Sequence, residues 1–547
     1  MRGATKMNGK TIGAMLALMT AAAGCEVGPN YKPPEMKVRS TFAEANVKGE
    51  ATTRASVPTT QAATPPVTLW WTTFRDPELN SLIGRAVRGN LTLRQAVSRV
   101  RQARYERAIA GAGLFPNVNV DGGYQRARGS NNVLIPLGAF GGGSSSASGA
   151  SGAAQQTGKN GMTAQPQQEI AGGGGGATVA GGPPGGPQSP LGLGGFPGVD
   201  TDLYQIGFDA TWEIDVFGGQ QRGIEAAGAD FAAAQEDARD SLVTLLAETA
   251  RTYIELRGDQ RQFEIAKQNL AAQQDTLSLT RSKYQAGFVT QLDVARQATQ
   301  VATTAAALPA LEGRVRIAIH TLGVLVGEDP DALSAELIKP GVIPPVPPEI
   351  PVGLPSDLLR RRPDVRRAER QLAAATARVG QATADLFPKF SITGALGLDS
   401  TKPKHLLDWN SRYWALSPGI SWPIFDAGRI RANIDVQDEV RQQAYANYQQ
   451  TVLNALKDVE DSLSSYRTEQ LRNQALTDAV DAARQAVDLA KQQYNQGVTD
   501  FLTVLDAERA EFAAEDSLAQ SDQTISTDLV SLYKALGGGW EISARGG

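Results

Sequence analysis

The chain has 547 residues, with 53 lysines and arginines against 57 aspartates and glutamates, a formal charge of −4, one cysteine and two histidines. So even a balance excludes a nucleic-acid binder that works through a basic domain or stripe. One cysteine excludes an intramolecular disulfide, and two histidines leave little from which to build a zinc site or histidine acid–base catalysis. No nucleophile–base pair or cluster of metal ligands is visible in the sequence, so an enzyme is the least favoured class.

At the N-terminus, Arg2, Lys6 and Lys10 precede an uncharged stretch, residues 11–24, that holds Met15, Leu16, Leu18 and Met19 and ends in small residues. Residues 1–24 read as a secretory signal peptide. The stretch closes on Ala22-Ala23-Gly24-Cys25, which resembles a bacterial lipobox, with Ala22 where leucine is usual. The sole cysteine thus stands where a lipid anchor needs one. Acylation of Cys25 would insert chains worth about 0.8 kcal/mol per buried methylene; by resemblance to sorted lipoproteins, Glu26 in place of aspartate after the cysteine implies the outer membrane. Residues 25–66, rich in Pro, Thr and Ala without apolar periodicity, read as an extended acylated leader. Beyond the N-terminus no run of about 18 apolar residues exists, so no helix is expected to cross a bilayer.

The rest of the chain is a duplication. Trp212-Glu213-Ile214 recurs as Trp422-Pro423-Ile424, Tyr284-Gln285-Ala286-Gly287 as Tyr494-Asn495-Gln496-Gly497, and Gly327 as Gly537, all at an offset of 210 residues. Leu114-Phe115-Pro116 recurs as Leu386-Phe387-Pro388, and Ala96, Ala103 and Ala110 as Ala368, Ala375 and Ala382, at an offset of 272. The repeats are placed at residues 67–340 and 341–547. The first is longer because of a Gly-rich insertion at about residues 130–200; from Gly138 to Gly198, 21 of 61 residues are glycine, a composition that cannot pack a core.

In the first repeat, Tyr204, Ile206, Phe208, Ala210, Trp212 and Ile214 alternate with polar or small residues, over a length that suits a tilted bilayer-spanning strand. Val118, Val120, Gly122 and Tyr124 form its expected partner. In the second repeat the counterparts are Phe390 to Leu398 and Tyr413 to Trp422, which gives four candidate membrane strands, with Trp and Tyr at their ends. Pro116 and Pro388 mark helix-to-strand junctions. Residues 221–285, 429–496 and 500–536 contain almost no Gly or Pro and read as helices of unusual length, the longest spanning about 100 Å. Apolar positions such as Val452, Leu456, Val459 and Leu463 step by three and four, as coiled-coil packing requires. Open sheet edges are not tolerated in hydrocarbon and the smallest membrane barrels have about eight strands, so the chain must oligomerise. Two copies would fill their barrel with side chains. Three would leave a conduit, and the small and polar inward residues favour three.

Cys25-Glu26-Val27-Gly28-Pro29-Asn30-Tyr31-Lys32-Pro33-Pro34, then Trp71 to Phe74 with Asp76 and Leu79, then Arg361-Arg362-Pro363-Asp364-Val365-Arg366-Arg367-Ala368-Glu369 resemble the TolC-like outer-membrane factors. The nearest resemblance is to the lipoprotein NodT/OprM branch that serves resistance-nodulation-division (RND) efflux pumps. It implies a mostly α fold with transmembrane β: a homotrimer with a twelve-stranded β-barrel, four strands per chain, continuous with a periplasmic α-helical barrel. It implies docking to a periplasmic adaptor (membrane fusion protein) coupled to an inner-membrane RND transporter, with no cofactor and no nucleic acid. The implied function is a passive exit duct for small molecules, gated at its periplasmic tip. By the same resemblance Asp506 matches a constricting aspartate, Leu502 an apolar ring residue and Arg509 a gate residue, while Tyr494 and Asp293 match residues that link neighbouring helices in the closed state. Thr503 and Thr499 depart from the second aspartate and the linking arginine of some relatives.

Two readings of the tips stand without the resemblance. In a threefold pore three copies of Asp506 would form a carboxylate ring that favours cations, although a solvated helical aspartate is the plainer alternative. Gly287 and Gly497 supply the left-handed residue that reverses one long helix into the next; with the adaptor that the resemblance implies, those turns are its expected contact. A coiled-coil structural or adhesive surface lipoprotein and a type I secretion duct are the competing functions.

Overall fold

The computed structural model describes residues 26–34, 36, 42–43, 67–128, 200–346 and 360–541. The signal peptide, Cys25 and the Gly-rich core of the insertion lie outside the described residues. The chain divides into a helical unit and a sheet unit, the latter made of residues 115–214 and 389–421.

In the helical unit, each repeat starts with shorter helices and ends in a long hairpin. Helix α1 (Pro77–Gly89) is started by Asp76, whose Oδ1 accepts from the backbone amides of Glu78 and Leu79 at 2.8 and 3.1 Å, with proline at the first helical position. Helix α2 (Leu91–Ala112) follows at once. Its counterpart in the second repeat is α5 (Pro363–Ala384). The hairpins are α3 (Gly219–Gln285) with α4 (Gln291–Val326), and α6 (Arg429–Asn495) with α7 (Phe501–Ala535). Helices α3 and α6 have 67 residues each, and both begin after a left-handed glycine, Gly218 at φ 76° and Gly428 at φ 86°. Those two glycines are also 210 residues apart, so the duplication extends to the junctions.

Along α6 the expected seam residues Val452, Val459, Val480, Val487 and Ala490 are buried, with Ile430, Tyr448, Ala455 and Tyr466 beside them, whereas Leu456 and Leu463 are half-buried against Phe42 and its neighbours. The largest apolar cluster lies where the helices of the first repeat meet α7. Trp70 stacks on Tyr533 with ring centroids 5.3 Å apart, and Leu79, Leu82, Ile83, Leu246, Ile254 and Leu322 close around them. Among the described residues no helix is long and apolar enough to cross a membrane.

The sheet unit is one antiparallel sheet in the order β1 (Asn117–Arg128), β2 (Asp200–Ile214), β3 (Lys389–Ser400), β4 (Arg412–Ser421). Pro116 and Pro388 stand immediately before β1 and β3, as read from the sequence. The first two strands are longer than the apolar alternation indicates, because charge pairs continue the ladder where apolar residues stop. Arg128 lies opposite Asp200, and Arg126 Nη2 binds Asp200 Oδ2 at 3.1 Å. This pairing makes the insertion the connection of a β1–β2 hairpin.

Register sorts the side chains into two faces. Val120, Phe208, Leu396 and Trp414 form one cross-strand row, and Val118, Ala210, Gly394 and Leu416 the next. The opposite face carries rows such as Asn119, Asp209, Ala395, Ala415 and Thr211, Thr393, Ser417. Most large side chains of the apolar face, Val120, Phe208, Leu396, Trp414 and Leu416 among them, are exposed in the single chain. The outer edges of β1 and β4 have no strand partner among the described residues.

Candidate gate and docking tips

Each hairpin reverses through the same local chemistry. After α3, Gly287 takes φ 80°, its amide donates to Tyr284 O at 2.9 Å, and the Phe288 amide donates to Lys283 O at 2.9 Å. After α6, Gly497 takes φ 76°, its amide reaches Tyr494 O at 3.2 Å, and Val498 reaches Gln493 O at 2.9 Å. These are paired Schellman closures, which only a residue without a Cβ adopts freely. Immediately past each glycine an apolar side chain projects into solvent: Phe288 is 81% exposed and Val498 71%. The glycines are legible in the sequence from turn chemistry; their apolar neighbours are marked only by the 210-residue offset that aligns them.

Restart of the helices differs between the tips. At α4, Thr290 and Asp293 form a capping box, the Asp293 Oδ2 accepting from the Thr290 amide at 2.9 Å and from its hydroxyl at 2.7 Å. At α7, Asp500 Oδ1 accepts from the Thr503 amide at 3.2 Å and from its hydroxyl at 2.8 Å, and Thr499 Oγ1 donates to Thr503 Oγ1 at 2.9 Å. The bond from the Thr503 hydroxyl, then that from its amide, holds the Asp500 carboxyl below the usual range. Thr499 and Thr503, the two departures from the family pattern, thus bond to each other and to the cap.

Tyr494 lies where the two hairpins adjoin. Its ring packs on Phe501 at 5.7 Å between centroids, and Lys283 Nζ sits 3.6 Å from the ring centre while reaching Asn495 Oδ1 at 3.5 Å. Desolvation pushes the Lys283 ammonium down and the Tyr494 phenol up, the latter aided by the negative charge of Asp293. The Tyr494 hydroxyl is buried with no hydrogen-bond partner among the described residues. Tyr494 and Asp293 are therefore brought near one another without a bond between them within this chain. Lys283 was not legible as a contact in the sequence, because its partner lies 211 residues away.

Asp506, Leu502 and Arg509 lie on the first turns of α7. The Asp506 side chain is 62% exposed, and its Oδ1 is 3.8 Å from Arg509 Nη1. Arg509 Nε donates to Gln300 Oε1 on α4 at 2.7 Å, tying the two hairpins together. Leu502 precedes Asp506 by one turn and is exposed on the same side. Behind them Glu508 is buried between hairpins, 3.1 Å from Lys491 Nζ and accepting from Thr276 Oγ1 at 3.1 Å. No local pattern in the sequence marks this pair.

At the other end of the helical unit the leader is clamped. Arg222 on α3 is 2% exposed at its side chain, and its guanidinium binds Val27 O at 3.2 Å, Asn30 Oδ1 at 2.6 Å and Glu225 Oε2 at 2.6 Å. Val27 N donates to Phe217 O at 3.3 Å, so the residues just after Cys25 run beside the start of α3. Farther along, Tyr31 Oη donates to Glu369 Oε1 at 3.1 Å, and Phe42 packs on Val459, Leu532 and Leu536.

A two-faced, four-stranded sheet with edges unpaired among the described residues, whose strands follow 22-residue helices through proline and lead into 67-residue helices through glycine, is the protomer of a TolC-like outer-membrane channel. The chain belongs to the outer membrane efflux protein family, which it matches over residues 190–328 and 354–538. It is 30% identical over 535 residues to the toluene efflux pump outer membrane protein TtgF of Pseudomonas putida, covering 97% of this chain and 98% of that one. It is 27% identical to Nodulation protein T of Rhizobium leguminosarum bv. trifolii, covering 96% of each. Among solved structures, the outer-membrane channel OprN superposes with a TM-score of 0.77 at 32% identity, over 94% of this chain and all of that one. CusC shares the fold with a TM-score of 0.72 at 24% identity, over 94% of this chain and 100% of that one. The protein is thus an outer-membrane efflux channel of the NodT/OprM type, and membership of that family favours the duct over an adhesive coiled coil.

Proposed function

We propose that three copies of the chain close a twelve-stranded barrel in the outer membrane and form the exit duct of a tripartite efflux pump, passive and without catalysis. The observation that carries this reading is the sheet. Its apolar rows need hydrocarbon, its polar rows need water, and its two free edges need a neighbour, which adjacent copies in a ring supply together. Twelve strands leave a water-filled lumen, whereas eight would pack it shut.

The hairpin tips serve as the gate and the adaptor contact. Asp506 and Leu502 would converge from three copies into a carboxylate ring and an apolar ring, with Arg509 braced on Gln300 behind them, while the Tyr494 ring, packed under Lys283 with Asp293 nearby, holds the two hairpins together. Gly287 and Gly497, with Phe288 and Val498 beside them, offer the periplasmic adaptor (membrane fusion protein) six small apolar knobs around the rim. The inner-membrane RND transporter supplies the energy and the choice of cargo. Cys25 carries the acyl anchor, and the Arg222 clamp supports this by fixing the following residues at the strand–helix junction after β2. The domain limits, signal peptide 1–24, leader 25–66 and repeats 67–340 and 341–547, agree with this division of labour.

Single-channel conductance in planar lipid bilayers tests the proposal. The wild type is expected to conduct weakly, and Asp506→Ala or Leu502→Ala to conduct several-fold more. A folded, membrane-inserted protein that conducts in neither form would overturn the duct, and unchanged conductance in the two variants would overturn the gate.

A further inference from the structure

The loop end of the sheet carries three rim arginines, and they are not equivalent. Arg126 and Arg128 on β1 are paired with Asp200 at 3.1 and 3.8 Å. Arg412, the first residue of β4, has no carboxylate within ion-pair distance among the described residues. Its guanidinium instead lies 4.1 Å from the centre of the Trp409 ring, and its Nη1 donates to Trp409 O at 3.3 Å. Register places Arg412 opposite Leu398, at the head of the apolar column Trp414, Leu416, Pro418, Ile420.

The loop of residues 401–411 adds two more cations. Its turns are fixed by the Asp408 amide donating to His405 O at 3.0 Å and Ser411 Oγ donating to His405 O at 2.7 Å. Asp408, the only carboxylate in that loop, is held by His405 Nδ1 at 2.7 Å. Lys402 and Lys404 have no acidic partner within ion-pair distance among the described residues, and Leu407 and Trp409 of the same loop are exposed.

We propose that Arg412, Lys402, Lys404 and Trp409 bind the phosphorylated headgroup of an anionic lipid. This rests on the reading of the sheet as the membrane wall. The occupant follows from position and charge: the cations sit where the apolar column ends, so a ligand meeting both has acyl chains below and negative charge above. The guanidinium recognises phosphate oxygens in a forked geometry, and an exposed indole is at home at headgroup depth. A soluble anion would use the cations but not the column. Each basic side chain near an anionic lipid surface contributes a factor of about five.

The test is lipid retention by the full-length assembly in neutral detergent, read by native mass spectrometry. The probes are a bisphosphorylated lipid A, phosphatidylcholine and inorganic phosphate. The wild type is expected to retain lipid A in preference to phosphatidylcholine, with no competition from inorganic phosphate at the same concentration. Lys402→Gln/Lys404→Gln/Arg412→Gln should weaken lipid A on the order of 100-fold at unchanged assembly mass, and Arg412→Gln alone about five-fold. Equal retention by the variants, equal retention of phosphatidylcholine, or displacement by inorganic phosphate would overturn the proposal. Failure of the membrane-wall reading would show separately, as wild type that does not insert into lipid.

Discussion

Asn90 Nδ2 donates to the carbonyl oxygen of Leu325 at 2.9 Å, pinning the start of α2 to the end of α4. Arg362 stands 272 residues later and its Nη1 donates to Ala535 O at 3.0 Å, where Ala535 follows Leu325 by 210. One contact has thus been kept through the duplication with an amide in one copy and a guanidinium in the other. The guanidinium does more: it also binds Asp364 at 2.6 Å and Asp458 at 3.1 Å, joining α5, α6 and α7.

Removing the two side chains should therefore have unequal effects. Arg362→Ala leaves Asp364 facing a largely buried site without its cation, and is expected to cost about 3 kcal/mol. Asn90→Ala removes a cap and one neutral hydrogen bond, and is expected to cost about 1 kcal/mol. Urea unfolding followed by tryptophan fluorescence measures both.

At the tips, Asp293→Ala removes the capping box of α4 and should release about 1 kcal/mol of local stability, read as faster amide exchange at residues 291–294. Tyr494→Phe deletes a buried hydroxyl that has no partner among the described residues, so unfolding should be unchanged or slightly delayed. A marked loss of stability in Tyr494→Phe would mean that the hydroxyl finds a bond across the subunit boundary.

Asp528 on α7 gives a pH signature. Burial, then the charge of Glu469, pushes its carboxyl up to about 6. The folded value exceeds the unfolded one, so the native state binds more protons between about pH 4 and 6. Asp528 accordingly adds stability as pH falls through 6, and that contribution is absent at pH 7. Asp528→Asn should be at least as stable as wild type at pH 7, with the wild type gaining on it as pH falls to 5, as thermal unfolding at the two pH values would record.

The two faces of the sheet should respond oppositely to the same change. Phe208→Arg puts a charge on the apolar face and is expected to cost about 2–4 kcal/mol in lipid, whereas Thr393→Arg, on the polar face, should insert normally and change ion selectivity. Heat-modifiable migration reads insertion, and reversal potentials read selectivity.

Strands, long helices and the duplication were legible because each rests on periodicity or on a fixed offset, which single residues such as Trp212 and Gly287 mark clearly. The strand ends were not, since Arg126, Asp200 and Asp202 continue the ladder by charge pairing after the alternation stops. The glycine turns were readable from backbone chemistry alone. The contacts of Lys283 with Tyr494 and of Glu508 with Lys491 and Thr276 were hidden because they join different helices, and no local pattern announces a side chain that meets its partner across a hairpin.

The mass of the assembled protein in outer-membrane lipid, measured together with its conductance, tests the central claim most directly. Three chains per particle around a water-filled pore is the predicted result. A membrane-inserted particle of one or two chains, or a three-chain particle that no ion crosses even when Asp506 and Leu502 are both replaced by alanine, would contradict it.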